Sequence, residues 1–196
     1  AVNPQITKSY ASGDLIYMHN LVCWGAKFSF FLMLFFAIPI CFEAHTVLNI
    51  WLVNVPVYTV DFVRLTFAGA LTTVLGNTMV TACQATGKIK RFQIGISLWN
   101  LLCFPLTWIA FSVGMPPISA YVIYCIIYFV MIFIRIYLVK DLINMKQSRY
   151  LVDVVLNVAI VTLVAIIVPT ILVLSLEESL IRLFIICTIS PVCTVF

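Results

Sequence analysis

Long apolar runs alternate with short polar segments along this chain. The runs extend from Leu21 to Phe42, with room to continue past Pro39 toward Trp51, then Phe62 to Cys83, Phe92 to Val113, Ile118 to Val139, about Val154 to Leu174, and Leu180 to Phe196. Each qualifies or nearly qualifies as a membrane span, which needs roughly 20 mostly apolar residues. A bilayer offers no water to unpaired backbone groups, so spans are helices or closed-barrel strands. Barrel strands alternate apolar and polar residues over about ten positions. These runs are longer and do not alternate. The pattern predicts an all-α membrane protein, a polytopic transmembrane helix bundle of about six spans.

Composition agrees. Of 196 residues, 64% are hydrophobic and 9% charged, against about 25% charged in a soluble domain. So few polar groups cannot cover a water-facing surface. The first run lies behind a polar segment and has no small-residue cleavage site, unlike a secretory signal. The chain opens at Ala1 without an initiator Met and stops inside an apolar run, so a longer parent chain is expected.

The charges orient the spans. Lys8 and Lys27, then Lys88, Lys90 and Arg91, then Arg135, Lys140, Lys146 and Arg149 flank one set of connections. The other set holds Glu43, Asp61 and Arg64, then the uncharged Gly114 to Pro117, then Glu177, Glu178 and Arg182. Cations mark the cytoplasmic side, so both ends are expected in the cytoplasm. Trp24, Trp51, Trp108, Tyr58, Tyr137 and Tyr150 fall near span ends, as interfacial aromatics do. The net charge of +4 is therefore a topology signal. No basic face with a stacking platform points to nucleic acid.

The second span carries the most informative polarity. Thr66, Ala70, Thr73, Asn77, Thr81, Gln84 and Lys88 recur every three or four residues and share one helix face. Leu65, Leu71, Val74, Leu75 and Met79 form the opposite face. The third span has a weaker stripe of Gln93, Ser97, Asn100, Phe104 and Thr107, and a basic hairpin, Gly87 to Arg91, joins the two as expected antiparallel neighbours. Two readings compete. Thr, Asn and small residues can hold helices together where lipid is excluded. They can also line a water-filled cavity for a polar substrate. On the second reading Asn77, Thr73 and Asn100 line the cavity, and Gln84 and Lys88 lie near its cytoplasmic mouth.

Charges near spans divide the same way. Arg64 and Arg135 are expected to snorkel or pair, since long cationic side chains reach the interface at little cost. Lys27, followed at once by Phe28, is a candidate lumen cation for an anionic substrate. Asp153 and Asn157 lie one turn apart and read first as an interfacial cap, second as an ion or proton site. Pro39, Pro105 and Pro169 fall inside spans, where proline kinks a helix and frees a carbonyl. The seven cysteines are mostly inside spans, and His19 and His45 stand apart, so no metal cluster is expected. No Ser-His-Asp set, paired carboxylates or glycine-rich phosphate loop suggests an enzyme or a cofactor. A coupling ion, proton or sodium, stays open.

Three stretches carry a resemblance. Asn3 to Leu21 (NPQITKSYASGDLIYMHNL) resembles a segment of bacterial oligosaccharide flippases, the Wzx-type polysaccharide-export branch of the multidrug and toxin extrusion superfamily. There a helix ends at a proline, a short cytoplasmic helix with a Gly-Asp step follows, and a new span begins. Trp51 to Leu65 (WLVNVPVYTVDFVRL) is similar to the family's outer loop, and Gln84 to Ile94 (QATGKIKRFQI) to its A-x-G-[KR]-x-[KR] hairpin. The three marks come in the family's order and on the sides that the charges indicate. The likeness reaches about Lys146, beyond which the chain matches only as generic terminal spans.

The resemblance implies the second bundle of a two-bundle transporter, with an N-terminal half of the same chain as its partner. Residues 1–20 would be the end of a preceding helix plus a connecting helix, 21–139 four spans, and 140–196 two terminal spans. It implies flipping of a polyprenyl-diphosphate-linked oligosaccharide across the bacterial cytoplasmic membrane by alternating access, among membrane lipids. Lys27, Asn77 and Gln84 would contact the substrate. Lys88, Lys90 and Arg91 would attract the diphosphate at the cytoplasmic mouth, or only set topology. The chain departs from that picture in having few central cations. A drug or cation antiporter, a membrane-embedded glycan transferase and a non-transporting scaffold remain alternatives.

Overall fold

A computed structural model describes residues 2–52, 54–175 and 180–195, without the side chains of 51, 141, 180, 181 and 191–195. Glu177 and Glu178 lie outside the described residues. All regular structure described is helical: α1 (Val2–Ala11), α2 (Leu15–Phe42), α3 (Ala44–Trp51), α4 (Thr59–Ala85), α5 (Lys90–Leu101), α6 (Cys103–Ser112), α7 (Ile118–Ile143), α8 (Gln147–Tyr150), a π-helical turn (Leu151–Leu156), α9 (Asn157–Ser175) and α10 (Leu180–Val195).

Five spans are long and apolar enough to cross a bilayer: Leu15–Phe42, Thr59–Ala85, Lys90–Ser112, Ile118–Lys140 and Gln147–Ser175. The expected sixth corresponds to α10, whose described helix has 16 residues. Large apolar side chains stand exposed along these helices, Trp24 at 72% and Leu163 at 69%. Patches of that extent belong against lipid rather than water.

The boundaries follow local chemistry. Gly13 takes a left-handed φ of 78°, which glycine adopts without a Cβ penalty, and turns the chain out of α1. Asp14 then accepts the Tyr17 N–H at 3.0 Å and caps α2. The first span therefore begins at Leu15, and the expected short connecting helix is continuous with it. Pro4 lies in the first turn of α1, where a missing N–H breaks no helical bond. Pro39 and Pro169 are absorbed within unbroken α2 and α9. Pro105 is not: the third span breaks at Leu102 into α5 and α6. The proline ring lacks an N–H and crowds the carbonyl four residues back, that of Leu101.

Packing centres on α4, which lies between α7 and α2 and also meets α1. α9 and α10 pack on α2, and α5–α6 pack on α7. The second and third spans are thus not the close neighbours that their hairpin suggested, because α7 takes both contacts. Glycines make the crossings tight. A Cβ at Gly69 would meet the Tyr124 ring at 2.5 Å, and one at Gly25 would meet Thr78 at 2.9 Å. Side chains then bond to backbone carbonyls across helices: Thr78 to Val22 at 3.0 Å, Trp99 to Ile127 at 3.1 Å, and Tyr150 to Leu75 at 2.5 Å. Such bonds are what holds helices together where the hydrophobic effect is weak. Tyr150 is fully buried, not interfacial as its position implied.

Candidate functional site

Helix geometry sorts the α4 residues into three sectors. Gly69 and Gly76 face α7, and Leu75 and Thr78 face α8 and α2. The predicted stripe lies in the remaining sector, at 100° per residue. Thr66, Asn77 and Gln84 are exposed, and Thr73 and Thr81 are half-buried. Thr66, Thr73 and Thr81 each donate to a carbonyl one turn back in α4, at 2.7, 2.9 and 3.3 Å. Local bonding of this kind satisfies a threonine hydroxyl without a neighbouring helix. An interhelix bond from this part of α4 comes from Thr78, one position from Asn77 and outside the predicted set.

At its Thr66 end the face opens into a cleft of about 420 Å³, lined by Thr66 from α4, Cys103 and Thr107 from α6, and Ala120, Tyr121 and Tyr124 from α7. The stripes of the second and third spans meet here, across α7. Phe62 and Tyr121 stack at 4.8 Å and Tyr124 and Tyr128 at 4.2 Å, which makes an aromatic floor. Past the break at Leu102, Cys103 and Thr107 of α6 line the cleft. Asn100 precedes the break, is half-buried, and is not part of the cleft lining.

At its Gln84 end the face reaches the basic hairpin, where Lys88, Lys90 and Arg91 are all exposed. From Thr66 to Gln84 the face runs about 27 Å at 1.5 Å per residue, close to the roughly 30 Å of hydrocarbon in a bilayer. Lys27 does not join it. Gly25 abuts Thr78 of α4, and two residues further on Lys27 points to nearly the opposite side of α2. Its ammonium lies 6.0 Å from the Trp24 ring, in a separate hollow with Phe28 and Phe31.

Two charged groups behave in ways that spacing did not reveal. Arg135 was expected to snorkel or pair. Instead it is 8% exposed and lies across α4 at Gly76, with Nη1 3.5 Å from the Thr73 carbonyl. Only a glycine leaves room for it there. Glu43 was expected in an outer loop. It is 1% exposed at the α2–α3 junction and holds Arg182 of α10 through two hydrogen bonds, of 2.5 and 3.1 Å. Both residues flank loops in the sequence, which made them look solvated. Their burial depends on helices far apart in the chain.

The remaining polar candidates are structural. Asn157 donates to the Asp153 carbonyl at 2.9 Å, and Asp153 lies 3.7 Å from Arg149. Buried His19 contacts the Ile143 carbonyl at 2.8 Å, so its Nε2 carries the proton. Arg64 Nε donates to the Cys41 carbonyl at 2.9 Å and closes the end of α2.

These features define a polytopic helical membrane protein with a polar track on one helix. Comparison of the chain with protein-family models, curated proteins and solved structures returned no match.

Proposed function

We propose that this chain is part of a transporter that flips a lipid-linked oligosaccharide across the bacterial cytoplasmic membrane. The observation that carries the reading is the outward polar face of α4. It spans about the hydrocarbon thickness, keeps Thr66, Asn77 and Gln84 exposed, and ends in a cleft lined by Tyr121 and Tyr124 at one side and a basic hairpin at the other. Polar faces in spans belong against a protein interior or a water-filled cavity. A sugar chain needs such a face, while its polyprenyl tail can remain in lipid. The resemblance of Asn3–Leu21, Trp51–Leu65 and Gln84–Ile94 to Wzx-type flippases names the cargo class: a polyprenyl-diphosphate-linked glycan.

On this reading the chain supplies one bundle of a two-bundle transporter, with both ends in the cytoplasm. Asn77, Thr73, Thr66 and Gln84 would exchange hydrogen bonds with hydroxyls as the cargo moves. Tyr121 and Tyr124 would stack on a sugar ring at the outer end. Lys88, Lys90 and Arg91 would concentrate the diphosphate at the inner mouth. Two described carboxylates are already paired, Glu43 with Arg182 and Asp153 with Arg149, which weighs against the drug-antiporter reading.

Asn77→Leu tests the assignment in cells whose surface polysaccharide depends on this protein. Expression and membrane insertion should be unchanged, because Asn77 is exposed on α4, and surface polysaccharide should fall. Undiminished polysaccharide would remove the track from consideration.

A further inference from the structure

We propose that Arg135 is an oxyanion-binding residue inside the membrane, placed to take a phosphate group at the middle of the α4 face. The inference rests on the reading of that face as a substrate path.

The guanidinium is unusually poorly satisfied. It has five N–H donors, and Arg135 is 92% buried by its 8% exposure. Nε has no hydrogen-bond partner among the described residues, and Nη1 has only the Thr73 carbonyl at 3.5 Å, a length at which little bonding remains. No described carboxylate pairs with it, since Glu43 holds Arg182 and Asp153 lies beside Arg149. A cation buried in a span without a partner is costly and marks a functional position by default. Arg135 is also eight residues short of the end of α7 at Ile143, about 12 Å at 1.5 Å per residue, and its side chain turns onto α4 instead of toward the interface.

Its position fits the track. Nη1 lies against Thr73 and Gly76, and Thr73 sits between the α7-facing glycines and the outward Asn77. The charge therefore borders the polar face at mid-span. Close by, Tyr124 and Tyr128 bring hydroxyls beside that of Thr73. A planar guanidinium with neighbouring hydroxyl donors matches the oxygens of a phosphate. The same chemistry is offered by a diphosphate on a cargo and by the headgroup of an anionic phospholipid.

The test follows thermal unfolding of the full chain, purified in detergent, against inorganic pyrophosphate, with sodium chloride at matched ionic strength as control. Pyrophosphate should raise the unfolding temperature of the wild type. Arg135→Gln should weaken that binding about ten-fold or more, the scale of one charge-assisted hydrogen bond, and Arg135→Lys should restore part of it. Should Arg135→Gln fail to fold, Gly76→Ala keeps the charge and pushes a methyl into the guanidinium's place, and it should weaken pyrophosphate binding likewise. In phosphatidylglycerol nanodiscs, loss of the pyrophosphate effect relative to phosphatidylcholine would assign the site to a lipid headgroup. Its persistence would assign the site to a free or cargo phosphate. An equal pyrophosphate response in wild type, Arg135→Gln and Gly76→Ala, or none in the wild type, overturns the inference. Asn77→Leu, read by surface polysaccharide, judges the flipping proposal separately.

Discussion

At the residue scale the buried ion pair of Glu43 with Arg182 stands out. Its side chains are 0% and 5% exposed, and it joins the α2–α3 junction to α10. Two charges taken out of water recover their desolvation cost only through close, well-bonded geometry, which the paired hydrogen bonds provide. Removing one partner strands the other. Arg182→Leu should therefore destabilise the protein by about 3–5 kcal/mol, read as a fall in unfolding temperature in detergent. The Glu43→Leu, Arg182→Leu double variant should recover much of that loss. Equal damage from the double variant would mean that the pair contributes through packing and not through charge. Neither residue was recognisable beforehand, because an acid in one loop and a base after another look like two solvated groups until α10 folds back beside α2.

At the element scale the broken third span is the most local of the non-ideal features. Pro105 interrupts an apolar stretch that otherwise reads as one helix, and the break falls just after the carbonyl it crowds. Pro105→Ala should restore a continuous helix from Lys90 to Ser112. Unfolding temperature should rise, by the equivalent of about 1–3 kcal/mol. An unchanged unfolding temperature would show that packing on α7, and not the proline, sets the break. Pro39 and Pro169 show why the sequence did not single out Pro105. All three carry the same backbone defect, a missing N–H and a crowded carbonyl one turn back. The stripe on α4 is the reverse case. Its period was legible residue by residue, yet only the packing of α7 and α2 on the other two sectors showed which way it points.

For the whole molecule the membrane orientation can be checked directly. With cations gathered on one side, Lys88→Cys should react with an impermeant maleimide only after cells are permeabilised. Met115→Cys, on the opposite connection, should react on intact cells. The reverse pattern would invert the topology and place the basic hairpin outside. The same positions bracket the proposed track, so the outcome also determines which end of it meets the cytoplasm.

The sequence by itself determined what depends on short-range chemistry. Apolar length imposed helices because a bilayer leaves no other way to satisfy the backbone, and the period of Thr66, Thr73, Asn77 and Gln84 placed them on one face. Tertiary structure decided what depends on neighbours. It put α7 between the second and third spans, turned Lys27 away from that face and brought Arg135 onto Gly76. It also enclosed Glu43 with Arg182. Those outcomes follow from which small residues let helices approach and which carbonyls they expose, and such contacts join positions 50 or more residues apart, as Thr73 to Arg135 and Glu43 to Arg182 show.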